Sequence, residues 1–376
     1  MRNNYLLRNA VWEFTLDCNL NCLHCGSSAG SSRADELTTA EAEQLCRDLQ
    51  KTGCLGITLM GGEPLLRKDF WRIATLIRDL GMELTVITNG TVFDQETFSR
   101  LRSLTPRAVA VSIDAAQPEL HDRIRNREGA FEKSFDFVTR ALGEGLPVTA
   151  ITTVHKLNLT ELPAIRELLL GRKIAWQVQV AGSEGRRFPQ ELLLDEEEFY
   201  SVGMFIAATR KKYPRTQMPV IGAHDLGFNS QLLDNISLAP QWHGCQAGIS
   251  VLGIQSNGTI KGCLSMNDST VEGTIRERDI AEVWHSAAAF PYSRQFTTAA
   301  AGENCAGCRH LDSCKGGCNE MSLMKTGLLH NDPYCFHRIE QRIFAKELRN
   351  PFYRLMLSVR RKLSTLTARD SAGKGK

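Results

Sequence analysis

The chain has 376 residues, a formal charge of +3, and hydrophobic and charged fractions of 42% and 23%. This balance fits a folded protein with one large and one smaller domain; the charge is too weak to imply nucleic acid, and no apolar run reaches the roughly 20 residues a membrane-spanning helix needs. The N-terminus MRNNYLLRNAVWEF lacks a secretory signal, so a cytoplasmic protein is expected, and its 12 cysteines then point to metal binding or chemistry rather than disulfides.

From residue 11 to 181, short β-rich runs alternate with amphipathic stretches. VWEFTLD precedes a helix around 38–52, LGITLM one at 69–80, and ELTVIT one at 94–103. AVAVSID leads to a helix near 131–143, PVTAITTV to one at 160–169, and IAWQVQV closes the series. Such βαβ units have right-handed crossovers and give a parallel sheet, and their polar, Gly-bearing strand ends (GGEP, TNG, DAA, AGSEG) fall where barrel active sites are built. Six units are too few to close an eightfold barrel, so the expected fold is α/β, a partial (β/α)6 TIM-like barrel over residues 1–181. Residues 182–244 read as a bridging region with a helix start at DEEEFY, 245–340 as a small Cys-rich domain, and 341–376 as a basic helical tail broken at Pro351. Within the small domain, SVLGIQSNGTIKGC has the pattern of a hairpin turning at Asn257-Gly258.

The cysteines are grouped. Cys18, Cys22 and Cys25 form CxxxCxxC just after the first strand, and Cys46 and Cys54 are isolated and read as packing residues. Cys245, Cys263, Cys305, Cys308, Cys314, Cys318 and Cys335 lie near the end. Three thiolates on one loop can hold three corners of a cubane cluster, leaving one iron open for chemistry; the competing reading is a structural site that borrows Cys46 or Cys54 as its fourth ligand. For the C-terminal set, spacing alone does not separate iron from zinc, and His310, His330 and His337 are potential zinc ligands.

CxxxCxxC in LDCNLNCLHCGSSAG, followed by GGEP at the end of the second strand, resembles the radical S-adenosylmethionine (SAM) superfamily. The resemblance implies that SAM chelates the open iron and that its reductive cleavage gives a 5′-deoxyadenosyl radical that abstracts hydrogen. It places Gly61, Gly62 and Glu63 against the SAM amino group, with Glu63 or nearby carbonyls accepting from the ammonium, and marks Ser112 as a further SAM contact. Thr88, Asn89, Asp114, Thr153 and Gln179 match other strand ends less specifically. HDRIRNREGAF resembles a stretch that supplies an arginine to the SAM carboxylate, without choosing among Arg123, Arg125 and Arg127.

The seven late cysteines resemble the SPASM domain. That implies two auxiliary 4Fe-4S clusters, one held by Cys305, Cys308, Cys314 and Cys335, the other by Cys245, Cys263 and Cys318 with no evident fourth ligand. With the first cluster the total is three. Enzymes of this kind mostly modify ribosomally made peptides, so a peptide substrate is expected, with a flavodoxin- or ferredoxin-type electron donor. Leu264 stands where sulfatase-maturing members carry an Asp, which argues against that activity. The first strand begins by residue 11, so leader recognition is assigned to a separate protein or to 182–244. The alternatives are a tetrapyrrole or other small-molecule substrate and, from a different class, a non-catalytic metal-binding scaffold.

Overall fold

Six parallel strands form the centre of the molecule: β1 (Asn9–Thr15), β2 (Gly56–Gly61), β3 (Glu83–Thr88), β4 (Ala108–Ser112), β5 (Val148–Val154) and β6 (Ala175–Val180). The computed structural model describes residues 5–347 except 184, 186, 224–225, 227–228, 234–235 and 237–241. Most of the basic tail and much of GAHDLGFNSQLLDN therefore lie outside the described residues.

The six strands fall where the alternating pattern predicts them. Their crossovers carry α1 (Thr39–Lys51), α2 (Phe70–Asp79), α3 (Thr97–Ser103), α4 (Pro118–Arg125), α5 (Ala130–Gly143) and α6 (Leu162–Leu169). Local chemistry fixes the ends of several: Thr38 and Glu41 form a capping box at the start of α1, satisfying otherwise orphaned N–H groups. The sequence pattern gives one helix between the fourth and fifth strands. The structure has two, because Asn126 takes a left-handed conformation (φ 53°) and Gly129 another (φ 73°), ending α4 before α5 begins.

The bridging region supplies α7 (Glu196–Lys212), also started by a capping box (Asp195 and Glu198), and β7 (Val220–Gly222), a seventh parallel strand beside β6. At the opposite edge β8 (Val251–Ile254) pairs parallel with β1 and begins the expected hairpin with β9 (Thr259–Lys261), beside which β10 (Val271–Thr274) runs antiparallel. One sheet thus runs β10-β9-β8-β1-β2-β3-β4-β5-β6-β7. The small domain extends the barrel sheet at the β1 edge, and its buried Trp284 and Phe290 belong to the same apolar core as Trp12, Phe14 and Phe70. No described helix is long and apolar enough to cross a membrane.

Candidate active site

The loop after β1 is anchored before its first cysteine. Leu16 N and Thr15 Oγ1 donate to the Glu36 carboxylate, and Gly30 N returns to Leu16 O. Around this loop the thiols meet N–H donors: Leu20 N lies 3.4 Å from Cys18 Sγ, Ala29 N 3.4 Å from Cys25 Sγ, and Arg125 Nη1 3.6 Å from Cys22 Sγ. Burial pushes the Cys18 thiol up to about 12, with Cys22 and Cys25 adding to it, and raises Cys22 against the opposing Arg125, with Cys25 adding. Thiols so placed stay protonated alone and become thiolates only when a cation replaces the proton, which suits cluster iron. Cys46 and Cys54 do not join them. Both are buried in the core, and Cys54 donates to Gly56 O at the end of β2 remote from the loop.

The two glycines of GGEP make the loop and strand fit. Gly62 N donates to Thr15 O and Glu63 N to Asp17 O, at 2.7 and 2.8 Å. A Cβ on Gly61 would stand 2.3 Å from Thr15 O, and one on Gly62 2.1 Å from Asp17 O. Glu63 is fully buried and accepts from Leu65 N, Thr88 Oγ1 and Asn89 N, so it joins GGEP to TNG. Asn89 continues outward, with Nδ2 2.9 Å from Asn19 Oδ1 inside the cysteine loop. Burial drives the Glu63 carboxyl up to about 7 against these donors. Ser112 is half-buried at the C-terminal end of β4, one of the strand ends facing the loop.

Beyond β4 the three arginines differ in placement. Arg123 and Arg127 are exposed, whereas Arg125 is buried on α4 and reaches both Cys22 and Asp114, with Nη2 2.6 Å from Asp114 Oδ2. Burial, the largest single influence, would raise the Asp114 carboxyl, but Arg125, the neighbouring His24 and His121 and the Thr153 N–H together outweigh it and hold the group at about 2. His24, between Cys22 and Cys25, lies 3.5 Å from the same oxygen. Burial depresses His24 to about 3 and His121 to about 4, so both are neutral. His24 Nδ1, His121 Nε2, His155 Nε2 and Arg125 Nε are buried without a protein hydrogen bond among the described residues, a polar surface suited to a polar ligand beside the cysteine loop. The sequence reading missed His24, His121 and His155; only His24 carried a signal, its place inside CxxxCxxC.

The late cysteines form two groups. Cys305, Cys308, Cys314 and Cys335 line one cavity of about 250 Å³. Cys245, Cys263 and Cys318 lie together elsewhere, their thiols raised by burial and, in each case, by the nearby Glu320 carboxylate. His330 Nδ1 is 2.7 Å from Lys315 O, His310 and His337 pack edge to face, and no group of three or more His, Cys, Asp or Glu among the described residues is placed to hold a single metal ion. The donor sets are four thiols in one group and three in the other, and thiols are the ligands that iron–sulfur clusters take.

Residues 12–169 match the Radical SAM superfamily, and residues 245–309 match an iron-sulfur cluster-binding domain, SPASM. An AdoMet-dependent heme synthase of Methanosarcina barkeri is 30% identical over 344 residues, 88% of this chain and 97% of the relative. The chain belongs to the radical SAM superfamily. A mycofactocin maturase of Mycobacterium tuberculosis is 26% identical over 352 residues, 91% of this chain and 86% of that protein. In fold the chain is similar to SuiB of Streptococcus suis bound to S-adenosylmethionine, with a TM-score of 0.70 and 17% identity over 89% of this chain and 76% of that one. This radical SAM protein is an enzyme that uses SAM and a 4Fe-4S cluster, with a partial barrel and a C-terminal SPASM domain for auxiliary iron–sulfur binding.

Proposed function

We propose that this enzyme holds three 4Fe-4S clusters and uses the first, on Cys18, Cys22 and Cys25, to modify a ribosomally made peptide. The bound SAM, once reduced, supplies the 5′-deoxyadenosyl radical that takes hydrogen from the substrate. The chain's own residues orient it. Arg125 keeps its Nε free of protein partners among the described residues and is the donor for the SAM carboxylate. Asp114 fixes that guanidinium, and the carbonyls beside Gly61 and Gly62 accept from the amino group, since Glu63 already accepts three donors from the protein. Ser112, at the end of β4, faces the same ligand.

The observation that carries the substrate class is the lining of the barrel at β5 and β6. Trp176 packs on Phe205 of α7, so its neighbours Gln177 and Gln179 face the barrel interior, where Gln179 Nε2 donates to Thr153 Oγ1 and Gln177 Nε2 to Gln179 Oε1. These neutral amide and hydroxyl groups match the N–H and C=O groups of a peptide, whereas the propionates of a tetrapyrrole call for cations. The second reading, a tetrapyrrole substrate, is favoured by the 30% identity to a heme synthase across 97% of its length. Cys305, Cys308, Cys314 and Cys335 would hold a fully ligated auxiliary cluster, which would supply a redox centre able to take electrons from a flavodoxin- or ferredoxin-type donor. A leader on the peptide, if present, would be recognised by a separate protein or by residues 182–244.

The test is anaerobic turnover with SAM and a reductant, adding in turn a peptide precursor encoded beside the enzyme's gene and an iron-bound tetrapyrrole. Substrate-dependent 5′-deoxyadenosine release with a mass change in the peptide supports the reading. Release and mass change with the tetrapyrrole alone overturns it.

A further inference from the structure

The three-cysteine group has a carboxylate beside it. The helix Asn319–Thr326 starts directly after Cys318, its N-cap, and its second residue, Glu320, turns back toward the thiols. Glu320 Oε2 lies 3.8 Å from Cys263 Sγ. Its other oxygen, Oε1, would stand 3.7 Å from a Cβ on Gly182, the second residue past β6, so the carboxylate sits between the thiol group and the barrel mouth.

A cubane offers four irons while this group offers three thiols, and QAGISVLG after Cys245 contains no further cysteine. A carboxylate oxygen is a competent iron ligand.

We propose, building on the cluster assignment above, that the Glu320 carboxylate is the fourth protein ligand of the cluster held by Cys245, Cys263 and Cys318. This cluster is then closed to substrate and works as an electron relay rather than as a second binding site. The N-terminus of the helix Asn319–Thr326 adds favourable dipole toward the anionic cluster.

The test uses the full chain with Cys18→Ala, Cys22→Ala and Cys25→Ala, so that only auxiliary clusters remain, reconstituted anaerobically. This parent holds about eight irons, and its reduced spectrum shows no coupling to labelled cyanide. Adding Glu320→Ala opens one iron: labelled cyanide binds and the midpoint potential of one cluster rises. If Glu320→Ala loses that cluster, Glu320→Cys restores it, which a merely structural carboxylate does not explain. Cyanide coupling in the parent, a Glu320→Ala spectrum identical to the parent's, or failure of Glu320→Cys to restore a lost cluster overturns the ligand assignment. The cluster reading itself fails separately, if Cys263→Ala leaves the iron content of the parent unchanged.

Discussion

Arg125 Nη2 stands 2.6 Å from Asp114 Oδ2, and the two residues come from different elements, α4 and the turn after β4. The same guanidinium reaches Cys22 Sγ at 3.6 Å, so one buried ion pair couples the strand end to the cysteine loop. Removing one member leaves the other buried and unpaired, which costs about 3–5 kcal/mol. Arg125→Gln is therefore expected to lower the denaturation midpoint and abolish measurable SAM binding. Arg125→Gln with Asp114→Asn recovers much of the stability but none of the SAM affinity. Calorimetric titration with SAM checks this, and a double variant that binds SAM normally contradicts it.

Glycine at 62 is a packing requirement with a spectroscopic consequence. Gly62→Ala drives a methyl into Asp17 O and displaces the loop that carries Cys18, Cys22 and Cys25. Iron should fall by about a third, one cluster of three, while the auxiliary signals persist. Gly26→Ala, inside the same loop but facing open space, is the control and should retain all the iron.

Glu63 makes the cluster-free protein sensitive to pH. Its carboxyl is raised from 4.5 to about 7 by burial, so the folded state holds the proton more tightly than the unfolded chain. The associated stability is complete below about pH 4.5 and is lost as pH rises through about 7, by at most about 3 kcal/mol. Glu63→Gln should flatten the difference in urea midpoint between pH 5.5 and pH 8. An unchanged difference removes Glu63 as its source.

Gln179 gives a handle on substrate class. If the β6 amides meet a neutral chain, Gln179→Arg should lower peptide-dependent 5′-deoxyadenosine release by about 10-fold or more, the effect of losing one or two buried hydrogen bonds. SAM cleavage without peptide should stay the same. Faster turnover of a tetrapyrrole by this variant than of the peptide by the wild type speaks for the second reading.

What could be read from the chain follows from how local each signal is. Cys18, Cys22 and Cys25 sit within one loop, and the six parallel strands announce themselves through apolar runs ending in Gly-bearing turns. The burial of Arg125, against the exposure of Arg123 and Arg127, is not legible, because it depends on which face of α4 turns toward Cys22, 103 residues away in the chain. Asp114 Oδ1 accepts from Thr153 N, a contact between the turn after β4 and β5 that no spacing rule encodes. The pairing of β8 with β1 was hidden for the same reason: the hairpin carried a turn signal but nothing naming its neighbour in the sheet. Glu320 carries no signal in the sequence, because its place beside Cys263 depends on a contact between residues 57 apart in the chain.

The central claim is that Cys18, Cys22 and Cys25 hold the cluster at which SAM is cleaved. The most direct measurement is 5′-deoxyadenosine release from SAM under strict anaerobic reduction, with iron counted on the same samples, for the wild type and Cys22→Ala. The account predicts about twelve irons and steady release for the wild type, against about eight irons and no release for Cys22→Ala. Undiminished release by Cys22→Ala, or zinc in place of iron at these cysteines, would contradict it.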